Sequence, residues 1–86
     1  MWKNNGSLAR IEINPKKLGG KPVIRGTRIS VEQVLNILAA GVPIKEIRQD
    51  FPQLTEADIY AAVYYASRLV EDFRVYPREF VGAITV

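Results

Sequence analysis

The sequence predicts a mainly α fold: a three-helix, helix-turn-helix core preceded by a small β-hairpin, with a candidate β-strand at the C-terminus. Three observations carry this prediction. Apolar residues recur at helical spacing in three consecutive stretches, opened by Ser30, Pro43 and Thr55, residue types suited to helix starts. The connections are short, the last being Pro52-Gln53-Leu54. Ahead of them, two β-prone stretches surround a turn-rich loop.

Residues 1–9 read as an N-terminal arm, 10–74 as the folded domain and 75–86 as a tail. In Arg10-Ile11-Glu12-Ile13-Asn14 polar and apolar residues alternate, the pattern of a half-buried strand that Pro15 ends. Lys16 to Gly20 form a loop, and Pro22-Val23-Ile24-Arg25 returns as a short strand. Gly26 permits the sharp turn after it. The whole segment Gly19 to Ser30, GGKPVIRGTRIS, is rich in residues placed for backbone geometry and also carries Lys21, Arg25 and Arg28. A nearly rigid cationic ribbon of this kind suggests a docking surface.

Ser30 with Gln33 forms a capping box for a first helix whose apolar positions are Val31, Val34, Leu35 and Leu38, and Gly41 is its C′ residue. Pro43 suits the start of a second helix, in which Ile44, Ile47 and Phe51 keep one apolar face before Pro52 stops it. Thr55 followed by Asp58 caps a third, longer helix, with a predicted core face of Ile59, Ala62, Val63, Ala66, Leu69 or Val70, and Phe73. Beyond Pro77 the tail Phe80-Val81-Gly82-Ala83-Ile84-Thr85-Val86 is apolar and β-prone, and calls for a partner.

Composition narrows the chemistry. At 86 residues the chain makes one domain, and a domain of this size buries only roughly 60% of its unfolded surface, which favours an oligomer, expected to be a homodimer. It has no cysteine and no histidine, which removes disulfides, thiolate nucleophiles, imidazole bases and the commonest zinc ligands together. No acid–base couple emerges, and the serines have no histidine to activate them, so neither catalytic residues nor a cofactor or metal site is predicted. The N-terminus lacks a secretory core and no window has the length of a membrane span, so the expected location is the cytoplasm, away from membranes.

The net charge of +3 hides an asymmetry: residues 1–28 carry seven bases against Glu12 alone, net +6, and residues 29–86 carry five bases against eight acids, net −3. The basic front end attracts polyanions such as DNA. The first turn of the third helix carries Glu56 and Asp58 and no base, which argues against base reading by that helix. The candidate DNA contacts are therefore Lys16, Lys17, Lys21 and Arg25 on the hairpin and its loop, joined by Lys45 and Arg48 on the second helix. Arg28, four residues before Glu32, is expected to pin hairpin to helix through an ion pair. Tyr60, Tyr64, Tyr65 and Arg68 form the outward face of the third helix, assigned to packing ahead of nucleic acid.

Taken together, IEINP, GGKPVIRGTRIS, VEQVLNILAAGVPIKEI and DFPQLTEADIYAAVYYASR resemble the family of domain of unknown function 433, over roughly residues 10–68. The match rests on Gly20, Pro22, Gly26, Thr27 and Arg28, and on Pro52, Leu54 and Thr55 before the last helix; these are fold markers first. Members of that family are similar to VapB-type antitoxins with a homeodomain-like helix-turn-helix. The resemblance implies a dimer that binds its own promoter and neutralises a PIN-like ribonuclease toxin. Such a toxin holds metal with clustered carboxylates, and Arg74 and Arg78 are the candidates to occupy that acidic pocket, anchored by Tyr76, Phe80, Val81 and Ile84. An alternative for the tail is pairing with the strand at Ile11 to Ile13, in the same or a sister subunit. The alternative for the whole chain is a protein-interaction module that dimerises and binds a partner without DNA affinity.

Overall fold

The structure, a computed structural model, describes residues 6–71. A short 3-10 turn at Leu8–Arg10 leads into β1 (Ile11–Glu12), which pairs antiparallel with β2 (Val23–Ile24) in the register Ile11 to Ile24 and Glu12 to Val23. Three helices come next: α1 (Val31–Ala39), α2 (Ile44–Asp50) and α3 (Glu56–Glu71). The fold is thus mainly α with a small hairpin, as the sequence predicts.

The hairpin is shorter than the alternating pattern implies, and Ile13 is 60% exposed. Asn14 is the reason. Its side-chain oxygen accepts from the Lys16 amide at 2.9 Å and its carbonyl from the Lys17 amide at 2.8 Å, so the chain is already turning there. Pro15, with no N–H to give, could not have extended the ladder.

From β2 to α1 the backbone folds back on itself. Ile24 N–H donates to the Ile29 carbonyl, and Val31 N–H to the Pro22 carbonyl, both at 2.9 Å. Gly26 takes φ +80° at the tip, a conformation costly for a residue with a Cβ. Thr27 locks the loop: its hydroxyl donates to the Ile24 carbonyl at 2.8 Å and accepts from the Ile29 amide at 3.0 Å. Gly26 and Thr27 therefore act first on the geometry of the loop.

Helix termini obey the capping logic read from the sequence. Ser30 Oγ accepts from Gln33 N–H at 2.9 Å, worth about 1 kcal/mol. Gly41, at φ +87°, closes α1 in a Schellman arrangement, with Gly41 N–H donating to Leu38 and Val42 N–H to Ile37. Pro43 opens α2, and Phe51 N–H donates back to Ile47 at its end. At α3, Thr55 Oγ1 accepts from Asp58 N–H at 3.1 Å and Asp58 Oδ2 accepts from Thr55 N–H at 3.0 Å, a reciprocal box built on aspartate.

The core gathers Ile11, Ile24 and Ile29 from the hairpin, Val31 and Val34 from α1, Ile47 from α2, Leu54 from the turn, and Ile59, Ala61 and Ala62 from α3. One expectation fails here. The predicted core face of α3 continued through Val63, Leu69 and Val70, yet these are 43%, 57% and 64% exposed, while Ala61 is fully buried. The inward stripe is rotated from the predicted one: it runs through Asp58, Ala61, Ala62 and Tyr65, which leaves Val63 and Val70, seven residues apart, on a side turned away from the core, while Leu69 lies at its outer end beside α1. Phe73 lies outside the described residues.

Candidate functional site

Most front-end cations hold the fold together. Arg10, in the first turn, donates from Nη1 to Asp58 Oδ1 at 3.0 Å across 48 residues of chain, tying the start of the domain to the start of α3. Arg25 donates from Nε to the Ala9 carbonyl at 2.8 Å and from Nη2 to the Ile11 carbonyl at 3.1 Å, so its guanidinium clamps the backbone entering β1. Lys17 Nζ lies 3.1 Å from Glu12 Oε1 and 3.5 Å from the Thr27 carbonyl. The Lys17 hydrogen bond holds the Glu12 carboxyl below its ordinary pKa, with the Gly26 amide contributing in the same direction.

Lys21 and Glu32 pair at 2.8 Å across the hairpin-to-helix junction, each side chain 61% exposed. That hydrogen bond likewise lowers the Glu32 pKa. The pair occupies the acid expected to engage Arg28. The Pro22-to-Val31 hydrogen bond lays residue 21 beside the first turn of α1, whereas Arg28 lies past the loop tip; Arg28 is exposed and forms no hydrogen bond or ion pair among the described residues. Gly20 and Pro22 remain geometric, the latter through its accepting carbonyl.

Lys16, Lys45 and Arg48 are different. All three are exposed, and their charged groups make no hydrogen bond or ion pair among the described residues. Lys45 and Arg48 come together at a cleft of about 430 Å³ beside α2, lined also by Ile44, Gln49 and Glu56 from the first turn of α3. Lys16 does not line it. The six nominated DNA contacts thus divide: Lys17, Lys21 and Arg25 are engaged by acids or carbonyls, and Lys16, Lys45 and Arg48 are open.

A second surface lies between α1 and α3. A groove of about 240 Å³ has an apolar floor of Pro22, Val31, Leu35, Tyr65, Ala66 and Leu69, with Glu32 and Asn36 also lining it. Val63 and Val70 extend the exposed apolar surface of α3. Tyr65 packs partly against the core, Tyr60 and Tyr64 are half-buried, and Arg68 pairs with Glu71 at 3.1 Å. The nominated partner contacts Arg74, Tyr76, Arg78, Phe80, Val81 and Ile84 lie outside the described residues.

Sequence reasoning missed the Arg10–Asp58 tie, because Asp58 reads as a solvated cap acid. The structure buries it, with an exposure of 8%. Among the described residues no group of three or more histidine, cysteine or acidic side chains could hold a metal ion, and no helix is long and apolar enough to cross a membrane.

A family model described as "Protein of unknown function (DUF433)" matches residues 11–66. The "Uncharacterized protein y4eO" of Sinorhizobium fredii is 40% identical over 53 residues, which cover 62% of this chain and 24% of that protein. The chain therefore spans about a quarter of the length of that curated relative. The crystal structure of a DUF433 member protein from Anabaena variabilis aligns with a TM-score of 0.68 at 37% identity, covering 72% of this chain and 61% of that one.

Proposed function

Because the chain belongs to the DUF433 family, matched from β1 to the middle of α3, we propose that it is a non-enzymatic, antitoxin-like, dimeric regulator that binds its own promoter through phosphate contacts made by α2. The observation that carries this reading is the division of cations. Lys45 and Arg48 stand open together at one cleft, while Lys17, Lys21 and Arg25 are held within the fold. Open cations on a helix beside a helix-turn-helix-like junction suit a sugar-phosphate backbone. Glu56 and the latched Asp58 at the start of α3 do not suit base edges, so affinity should come mainly from phosphates.

Fluorescence anisotropy against the DNA upstream of its own gene tests this. Affinity should fall steeply with salt, and Lys45→Glu with Arg48→Glu should weaken binding across all sequences. Replacing both positions by alanine should reduce the log–log salt slope by about 2, at roughly 0.9 per phosphate contact. DNA binding indifferent to these substitutions would sink the reading.

A second reading, a protein-interaction module without DNA affinity, is favoured by the exposed Val63, Leu69 and Val70 on α3. The resemblance supplies a partner class, a PIN-like ribonuclease toxin, whose acidic metal pocket Arg74 and Arg78 would meet. Co-expression with the neighbouring gene's product, scored by co-purification and by rescue of growth, tests that branch independently of DNA.

A further inference from the structure

Leu18, which precedes the GGKPVIRGTRIS segment, is strained without being packed. Among the described residues it alone, apart from glycines, has a positive φ, +49°, a conformation costly for a residue with a Cβ. The side chain is 43% exposed and takes no part in the core cluster. Glycine would hold the same turn at lower cost. We propose that the loop 16–20 and the tip 26–28 form a minor-groove wing on duplex DNA, with Leu18 wedged between base steps and Lys16 and Arg28 against the flanking backbone. The inference takes its ligand from the promoter-binding reading and adds a contact that α2 does not make.

The wing is braced before it meets a ligand. Gly20 N–H donates to the Lys17 carbonyl at 2.9 Å, and Lys21 N–H to the Leu18 carbonyl at 3.3 Å. Lys17 Nζ reaches from this loop to Glu12 Oε1 and, at 3.5 Å, to the Thr27 carbonyl, while Gly26 N–H donates to the same Glu12 oxygen at 3.5 Å. These bonds hold the tip 26–28 beside the loop 16–20. Arg28, next to Thr27, and Lys16, next to Lys17, therefore share a surface with Leu18, and both are exposed with charged groups that are open among the described residues. A side chain fixed in advance loses little freedom on insertion.

Charge selects the partner. Glu12 is the only acid in residues 1–28, and its carboxylate is already engaged by Lys17, so this surface offers cations beside no open acid and suits a polyanion. An apolar side chain flanked by lysine and arginine is the chemistry of minor-groove binders, which slip such a wedge between base steps and kink the duplex. Both tips also project. Among the described residues, a Cβ added at Gly19 or Gly26 would meet no atom within 4 Å beyond its chain neighbours, so nothing there obstructs a groove closing over them. The favoured site is a narrow A·T-rich groove, whose potential attracts the cations, beside a flexible pyrimidine–purine step.

The full-length protein, titrated into a duplex from upstream of its gene with a fluorophore pair at its ends, tests this through affinity and energy transfer together. The parent should bend the duplex by roughly 20–90°. Leu18→Asn tolerates the left-handed backbone; it should lose the bend and bind several-fold more weakly, with a urea midpoint no lower than the parent's. Leu18→Met, which keeps an apolar wedge, should keep the bend. Lys16→Gln with Arg28→Gln should lower the log–log salt slope by about 2, at roughly 0.9 per phosphate contact. Three results overturn the proposal: a bend unchanged in Leu18→Asn, a midpoint that falls with that substitution, or a salt slope indifferent to the two glutamines. Lys45→Glu with Arg48→Glu in the same titration separates this claim from the α2 reading. Binding weakened by that pair alone condemns the wing and leaves α2 standing, and binding weakened by the loop variants alone does the reverse. A parent that leaves the duplex unbound ends both.

Discussion

At the scale of single residues, the Arg10–Asp58–Thr55 cluster explains why the N-terminal segment and α3 belong to one folding unit. Asp58 accepts from Arg10 on one oxygen and from the Thr55 amide on the other. Asp58→Ala therefore removes a cap and an ion pair together, and the expected loss is about 1–2 kcal/mol, because Arg10 remains 45% exposed and screened by water. Arg10→Met should cost less than about 1 kcal/mol. Urea denaturation of both single variants and the double should give non-additive losses. Strict additivity would show that the 3.0 Å contact is energetically idle. The Thr55–Asp58 cap is legible in the sequence and the Arg10 pairing is not, since nothing in local periodicity distinguishes a solvated cap acid from a buried one.

At the scale of elements, capping and turn chemistry made most of the fold legible. Ser30, Gly41, Pro43 and Thr55 bound the helices where the sequence placed them, because the orphan N–H and C=O groups at helix ends are satisfied locally. Facing was harder to read. The inward side of α3 depends on which side the other elements pack against, a property of distant segments, and so Val63, Leu69 and Val70 read as inward in the sequence and are exposed in the structure. The hairpin carries a pH signature of its own. Glu12 and Glu32 both titrate below their ordinary range because Lys17 and Lys21 favour their charged forms. Each contributes stability above the unfolded-state pKa and loses it as pH falls through the lowered folded-state value. Urea midpoints should therefore drop as pH falls below the ordinary glutamate range, and Glu12→Gln should flatten part of that drop. If the variant and the parent lose stability in parallel, the Lys17 pair contributes nothing to it.

At the scale of the whole molecule, the basic front end seen in the sequence is spent largely on architecture. Formal charge counts residues, while a field depends on which charges are neutralised nearby, and Arg10, Lys17 and Lys21 each sit within about 3 Å of a carboxylate. The cations left open on α2 came from the part of the sequence with net negative charge. This sets the prediction for nucleic acid apart from one based on charge alone: Lys17→Gln should act mainly on hairpin stability, and Lys45→Gln on the salt slope of DNA binding. The reverse pattern in paired urea and anisotropy measurements would restore the front end as the contact surface.

The same distinction between scaffold and surface separates two sets of apolar residues that look alike in sequence. Ile47 is fully buried where α2 meets the core, so Ile47→Ala should cost about 2–5 kcal/mol. For a chain of 86 residues the total stability is on the order of 4–13 kcal/mol, so this single truncation removes a large share of it. Val63 and Val70 are exposed on α3, and Val63→Ser with Val70→Ser should change folding stability by no more than about 0.5 kcal/mol per site. If that surface meets another polypeptide, the double serine variant should sediment with a lower mass at equal concentration while its urea midpoint, compared at a dilution where both proteins are monomeric, stays put. A midpoint falling as far as that of Ile47→Ala would mean these valines belong to the core, and the exposed apolar side of α3 would have no claim as a binding surface.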